Sequence, residues 1–514
     1  MASAVVGYAQ RGRRSRPEPG QLHYESLVNV AERIRRRELS PVEVTIAQLE
    51  RIDALQPKLK AYVMVLADRA RAQAREAERE IQAGNYRGPL HGIPVAVKDL
   101  YFTSGLATKG GSGALADHVP SYNATVVERF ASAGAVLLGK LNTTEGAMVG
   151  YHRDFEVPRN PWGEDRFPGW SSSGSGVATA AGLCYASLGT DTGGSIRTPS
   201  SANGIVGLKP TWGRVSRHGV LDLAPSLDHV GPMTRTVAAA AAVLAVLAGR
   251  DEHDATSLPD RVPDYLEEIE QGIQGVRIGF DEDYAARGVQ GETAAAVQRA
   301  LRELEELGGR VVRARMPTLH GHGAAWRTIC STEAAAAHAR TFPSRADQYG
   351  TFFRSFLEDG SKVTGVDYAK ANLIRREISG QIRRVFQDFD LLVCPSVAYE
   401  PCRYDPADAY GGIDAEAETL AGVPYSCLSG SSRFTGPFNF CGYPTLSLPC
   451  GFSIDGLPLS LQLVGLPLLE SLLCRAGHAY EKCHRLARTA PACVIRPVLL
   501  FGLRPCNQHS NPAG

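Results

Sequence analysis

The chain has almost no excess of charge: 55 Lys and Arg stand against 54 Asp and Glu in 514 residues, a formal net of +1. That balance leaves no electrostatic footprint for a nucleic acid or an anionic membrane surface. Nor does any apolar run reach the roughly 20 residues that a membrane span requires. The closest, Val237 to Gly249, is Ala-rich and follows Thr236, which can cap it, so it reads as a core helix. The eleven cysteines are odd in number and contain no Cys-x-x-Cys pair and no Cys/His array. They therefore read as scattered reduced thiols of a cytoplasmic protein. Cys483-His484 and His320-Gly321-His322 are each too short for a metal site, and neither a metal nor a cofactor is called for. Residues 1–20 carry Arg11, Arg13, Arg14 and Arg16 without the apolar centre of a secretory signal, and are expected to form a disordered tail.

Three familiar motifs also fail. Gly134-x-x-x-x-Gly139-Lys140-Leu141 nearly spells a phosphate-binding loop. Its last position is not Ser or Thr, and its intervening residues are strand-like. Gly111 to Ala116 echoes a dinucleotide fingerprint with no strand before it. No G-x-S-x-G elbow surrounds either of the candidate serines discussed below, which counts against the usual α/β-hydrolase arrangement.

What is present is α/β patterning. Over 21–84 the periodicity is helical: Leu27, Val30, Ala31 and Ile34 share one face, and Ser40-Pro41-Val42-Glu43 is a strong helix start. A third helix around Asp68 to Ile81 carries charges along its length and is expected on the surface. After Gly84 the pattern becomes strand-like. Leu90 to Asp99 is an apolar run with Lys98 at its end, where burial disfavours the charged ammonium and can prepare a base. A structural reading stands beside it: the ammonium reaches the surface or pairs with Asp99. A helix over Ala124 to Ala133, a strand at Ala135 to Leu138, a strand from Arg310 and another at Leu391 to Pro395 continue the alternation. Residues 400–433, rich in Tyr, Pro, Gly and Ser, read as an irregular loop over a site, and the chain beyond 488 as a loose tail.

The chain is organised around Ser171 to Arg197, SSSGSGVATAAGLCYASLGTDTGGSIR. Clustered hydroxyls open it, an Ala-rich helical run follows, and Asp191-Thr192-Gly193-Gly194-Ser195 closes it. Adjacent glycines allow backbone N–H groups to converge. Converging donors beside a serine hydroxyl supply what acyl transfer needs, a nucleophile and stabilisation for the oxyanion.

Together with Gly92 to Asp99, Gly207 to Gly213, Ser226 to Pro232, Phe434 to Asn439 and Leu461 to Gly465, this stretch resembles the amidase signature family, over roughly residues 25 to 488. The resemblance implies an α/β fold: a single large domain over 85–488, with a central mixed twisted sheet covered by helices on both faces and the 21–84 helical segment packed on it. It implies a triad in which Ser195 is the nucleophile, Ser171 the bridging serine beside a cis peptide bond, and Lys98 the base. The N–H groups of Thr192, Gly193, Gly194 and Ser195 would form the oxyanion hole. Asp191 and Arg197 flank this turn and are read as structural. The sequence departs from the family pattern at Gly169-Trp170, where Trp170 would narrow the acyl side of the pocket and contact substrate, at Ser173-Gly174, and at Leu466.

The function favoured is hydrolysis of a small-molecule carboxylic amide, extending to anilides, esters or carbamates. Two other readings stay open: the glutaminase subunit of a tRNA-dependent amidotransferase, and a non-catalytic scaffold. Neither nucleic acid nor membrane is expected as a partner, and the oligomeric state is open between monomer and homodimer.

Overall fold

In the computed structural model, residues 22–415, 418–483 and 491 are described. Eleven strands form one mixed sheet: β1 (Tyr62–Val65), β2 (Pro94–Lys98), β3 (Val136–Leu141), β4 (Ala186–Asp191), β5 (Val206–Lys209), β6 (His229–Thr234), β7 (Arg277–Phe280), β8 (Arg310–Arg313), β9 (Leu391–Pro395), β10 (Thr445–Phe452) and β11 (Pro458–Gly465). The spatial order is β1-β3-β2-β4-β6-β5-β10-β11-β9-β7-β8. Two parallel groups, β3-β2-β4 and β9-β7-β8, flank an antiparallel centre that includes the β10–β11 hairpin.

Both faces of the sheet are covered, as strand alternation shows. Val95 and Val97 enter one apolar cluster while Ala96 enters another; Val393 and Leu392 divide in the same way. Helices Leu27–Arg35, Val237–Leu247, Gly291–Glu306 and Glu470–Lys482 close one side. Pro41–Leu59, Ala67–Gln82 and Ser173–Ala180 pack on the first cluster opposite, and His322–Ala337, Thr351–Lys362 and Gly365–Val385 on the second.

Local signals read from sequence reappear as contacts. Ser40 Oγ accepts from Val42 N at 2.9 Å while Glu43 returns its carboxylate to Ser40 N at 3.2 Å, the reciprocal cap of a helix start. Thr236 caps the Ala-rich helix through Ala239 N. Two elements differ from expectation. The helix expected on the surface buries Ala70, Ala74, Ala77 and Ile81, a stripe at 4-3-4 spacing too narrow to stand out among the charges. Within the helical segment lies β1, which pairs antiparallel with β3 and forms one edge of the sheet. The tail expected over 1–20 and that beyond 488 fall outside the described residues, apart from residue 491. Among the described residues, no helix is long and apolar enough to cross a membrane.

Candidate active site

The site lies at the carboxyl ends of the parallel neighbours β2 and β4, the edge where open α/β sheets place their ligands. β2 is buried along its whole length and ends in Lys98, which is 0% exposed. Its Nζ donates to three hydroxyl oxygens: Ser171 Oγ at 2.6 Å, Thr190 Oγ1 at 2.9 Å and Ser172 Oγ at 3.0 Å. Burial lowers the Lys98 pKa to about 7, against the opposing charges of Asp228 and Asp191. The structural reading of this lysine fails on both counts. Lys98 does not reach the surface, and Asp99 is taken by Lys140, whose Nζ lies 2.8 Å from Oδ1. That same Lys140 is the lysine of the false phosphate loop; it sits buried on β3 as half of an ion pair.

Ser171 and Ser172 immediately precede the helix Ser173–Ala180. The peptide bond Trp170–Ser171 is cis. The Ser171 carbonyl accepts from Thr143 Oγ1 at 3.2 Å and Thr144 N at 3.3 Å, which holds the backbone beneath the hydroxyl. Gly174 belongs here for a steric reason: a Cβ would come within 2.6 Å of the Asn142 backbone. Ser195 is brought to the same place by its own carbonyl, which accepts from Ser172 N at 3.3 Å.

The turn between β4 and the helix Arg197–Asn203 is organised by Asp191. Its Oδ1 accepts from Gly194 N at 2.8 Å and its Oδ2 from Ile196 N at 3.1 Å. Arg197 completes the carboxylate, with Nη2 at 2.8 Å from Oδ1 and Nε at 3.0 Å from Oδ2. Arg197 then reaches Asn439 Oδ1, Thr435 O and Gln462 Oε1, so the two C-terminal blocks meet the central stretch at one guanidinium. Burial alone would raise the Asp191 pKa. The Arg197 charge and hydrogen bonds, with Lys209 and Asn439, outweigh it and hold the carboxyl well below its usual range. This contribution to stability is present above the unfolded carboxyl pKa of about 4 and is lost as the pH falls below it. We expect Arg197→Met to cost about 3–5 kcal/mol in urea unfolding, because it strands a buried carboxylate. A loss under about 1 kcal/mol, the scale of an exposed ion pair, would contradict that account.

The same network alters one expectation. The Gly194 N–H, assigned from sequence to the oxyanion hole, is already donated to Asp191. Among the described residues, the N–H groups of Thr192, Gly193 and Ser195 have no such acceptor. Gly194 instead serves by conformation: its φ is +138°, and a Cβ there would come within 3.0 Å of the Thr435 side chain.

Above the turn is a cavity of about 260 Å³. Ser195, Gly193, Trp170, Trp326 and Leu428 help to line it, and Glu400 is the one charged residue in its lining among the described residues. Trp170 is nearly buried and meets Phe167 edge-on, with ring centroids 4.9 Å apart. Sequence reasoning missed Trp326, on the helix His322–Ala337: its Nε1 donates to Thr192 O at 3.0 Å and its ring covers Gly193. It also missed Ser172 and Thr190 as partners of Lys98; one adjoins Ser171, and the other stands one residue before Asp191. The stretch 400–433 does reach the site, through Glu400, Cys402, Leu420, Cys427 and Leu428. It holds more structure than a loop: three short antiparallel strands within 413–424 and the helix Tyr425–Ser429. His91 takes no part here; its ring accepts from Arg87 N and faces Glu80.

A buried lysine among serine hydroxyls, a glycine turn whose N–H donors lack an acceptor among the described residues and an adjoining cavity are the parts that acyl-transfer chemistry on an amide requires. Comparison with known proteins agrees: the Amidase family model matches residues 43–474, and the chain belongs to that family, the amidase signature enzymes. Among its relatives, AmiD of Mycobacterium tuberculosis, which carries an amidase name, is 42% identical over 465 residues, covering 90% of this chain and 95% of that protein. A glutamyl-tRNA(Gln) amidotransferase subunit of Thermosynechococcus vestitus is 37% identical, covering 87% and 95%. The native peptide amidase from Stenotrophomonas maltophilia superposes with a TM-score of 0.78 at 33% identity, covering 91% of this chain and 98% of that one.

Proposed function

We propose that this protein is a stand-alone amidase, hydrolysing the C–N bond of a small carboxylic amide through an acyl-enzyme on Ser195. The observation that carries this is Lys98: fully buried, 2.6 Å from Ser171 Oγ, with its pKa lowered to about 7. A lysine is a base only when neutral, and the lowered pKa makes the neutral form accessible near pH 7.

Ser195 Oγ attacks the carbonyl carbon as its proton passes to Ser171, whose own proton moves to Lys98 Nζ. The carbonyl oxygen takes the negative charge and is met by the N–H groups of Thr192, Gly193 and Ser195, each such donor worth roughly 3 kcal/mol in the transition state. When the tetrahedral intermediate collapses, the proton returns through Ser171 to the departing nitrogen, which leaves as ammonia or amine. Water then repeats the sequence on the acyl-enzyme and releases the acid. Ser172 and Thr190 hold Nζ in place throughout. Trp170 walls the acyl side of the cavity, and Trp326 keeps the oxyanion turn in position.

The likeness to an amidotransferase component supports a second reading, glutamine hydrolysis for a partner. The cavity speaks against it. A glutamine carries an α-carboxylate that needs a cation or several donors when desolvated, and among the described residues no Lys or Arg lines this cavity. The nine cysteines among the described residues are all free, which supports a reducing, cytoplasmic setting. The test offers the purified chain, with Ser195→Ala as control, aliphatic and aryl amides, an anilide, a carbamate and glutamine, with products read by mass. Turnover of an acyl amide that the control lacks is the expected result. Glutamine as the sole substrate would favour the partner-dependent reading.

A further inference from the structure

The cavity beside Ser195 is lined by apolar side chains interspersed with hydroxyls, Thr192, Thr198, Ser431 and Thr435 among them. Its lining includes Met148, Val149, Phe167, Val397 and Leu420, and among the described residues Glu400 is the single carboxylate there and no cation lines it. Glu400 Oε2 is sealed from solvent and has no hydrogen-bond partner, and no ion pair to this carboxylate exists among the described residues. Arg166, whose guanidinium reaches this segment, donates to the Pro401 carbonyl at 3.4 Å and is committed to Asp455 at 3.5 Å and Asp165 at 3.8 Å. Among the described residues, nothing supplies a compensating cation at the wall where this carboxylate stands, so any compensation has to come from the charge of what occupies the cavity.

Resting on the amidase reading, we propose that Glu400 is a specificity-determining residue, selecting amides that carry a protonated amine or comparable cation on a compact apolar body. The physical basis is the field inside the cavity. Low-dielectric walls screen a carboxylate poorly, so its potential extends across the space next to Ser195 and favours positive charge without direct contact. The same field repels a substrate carboxylate, so acidic amides and glutamine are discriminated against by charge as well as by the lack of a cation. Binding energy spent on this remote group fixes the carbonyl over the oxyanion donors. The volume of about 260 Å³ falls just below drug-sized sites, which suits a body of one ring.

The test measures affinity separately from turnover. Ser195→Ala protein is titrated calorimetrically with 4-(aminomethyl)benzamide, with its neutral isostere 4-ethylbenzamide and with the anionic 4-carbamoylbenzoate, and then with the meta isomers of all three. For at least one ring position the cation should bind about tenfold tighter than the isostere, and the anion about tenfold weaker. Adding Glu400→Gln should collapse that spread to within about threefold, because the amide keeps the shape and removes the charge. Equal affinities, a spread that survives Glu400→Gln, or no binding of any member would each overturn the proposal. Ammonia release by the wild-type chain tests the amidase reading independently. Failure there with the charge order intact would remove the chemistry and keep the recognition; turnover without the charge order would do the reverse.

Discussion

Ser195→Ala should lower amide turnover by about 10⁶-fold while leaving the fold intact. The loss is that large because nucleophile, relay and base act as a unit, so removing one member removes the covalent route. What remains is the modest catalysis of oxyanion donors and binding, which is close to undetectable for an amide. Stability should change by no more than about 0.5 kcal/mol, since Ser195 is partly exposed and its hydroxyl makes no hydrogen bond among the described residues. Both numbers come from one preparation, by progress curves and by urea unfolding. Retained turnover at even about 1% of wild type, far above the residual of a lost nucleophile, would remove Ser195 from the mechanism.

The second large effect concerns Lys98 and pH. With its pKa lowered to about 7, the fraction of enzyme holding a neutral base falls on acidification. The logarithm of kcat/KM should therefore rise with pH at unit slope below about 7 and level off above it. Lys98→Met should abolish this limb together with turnover. Its effect on stability has the opposite sign to its effect on activity. Between pH 7 and the unfolded lysine pKa of about 10.4, the unfolded chain binds a proton that the native chain has released, so wild-type stability rises with pH across that window. At pH 7 the buried amine is held at a cost that an apolar side chain of similar length avoids. Lys98→Met should thus unfold at the same or a higher urea concentration than wild type near neutrality, with the difference shrinking toward pH 10. A variant that is inactive because it is destabilised would contradict the assignment of Lys98 as a base in an otherwise complete fold.

How far the sequence revealed this site follows from where the information lies. Lys98 and Ser195 stood out as candidates because each sits in a local pattern that is odd on its own terms, a lysine ending an apolar strand and a serine closing a glycine turn; Ser171 was separated from its neighbouring serines only by the family resemblance. Asp191 and Arg197 were legible as turn residues, but not as the point where Asn439, Thr435 and Gln462 converge, because those contacts span about 240 to 270 positions of chain. Trp326 left no local signal. It stands on an ordinary helix and acquires its place only when that helix packs over Gly193. Glu400 was hidden in a segment read as irregular, where no periodicity distinguishes a residue facing a cavity from one facing water. Gly194 shows the converse failure. Its motif position suggested a free donor, yet its N–H is consumed by the carboxylate three residues earlier, a competition visible only in three dimensions.

The edge strand β1 has a similar history. Tyr62-Val63-Met64-Val65 is β-prone, but four residues between two long helices carry too little alternation to be separated from them. Its place at the sheet edge is set by β3, 71 or more positions downstream.

Hydrolysis by the proposed route passes through a covalent acyl group on Ser195. The decisive measurement is intact-protein mass spectrometry of wild-type enzyme acid-quenched during turnover of a slow aryl ester or anilide, followed by peptide mapping. The protein should gain the mass of one acyl group, located on Ser195, and Ser195→Ala should gain nothing. Steady turnover with no acyl adduct, or an adduct on another residue that persists in Ser195→Ala, would contradict it.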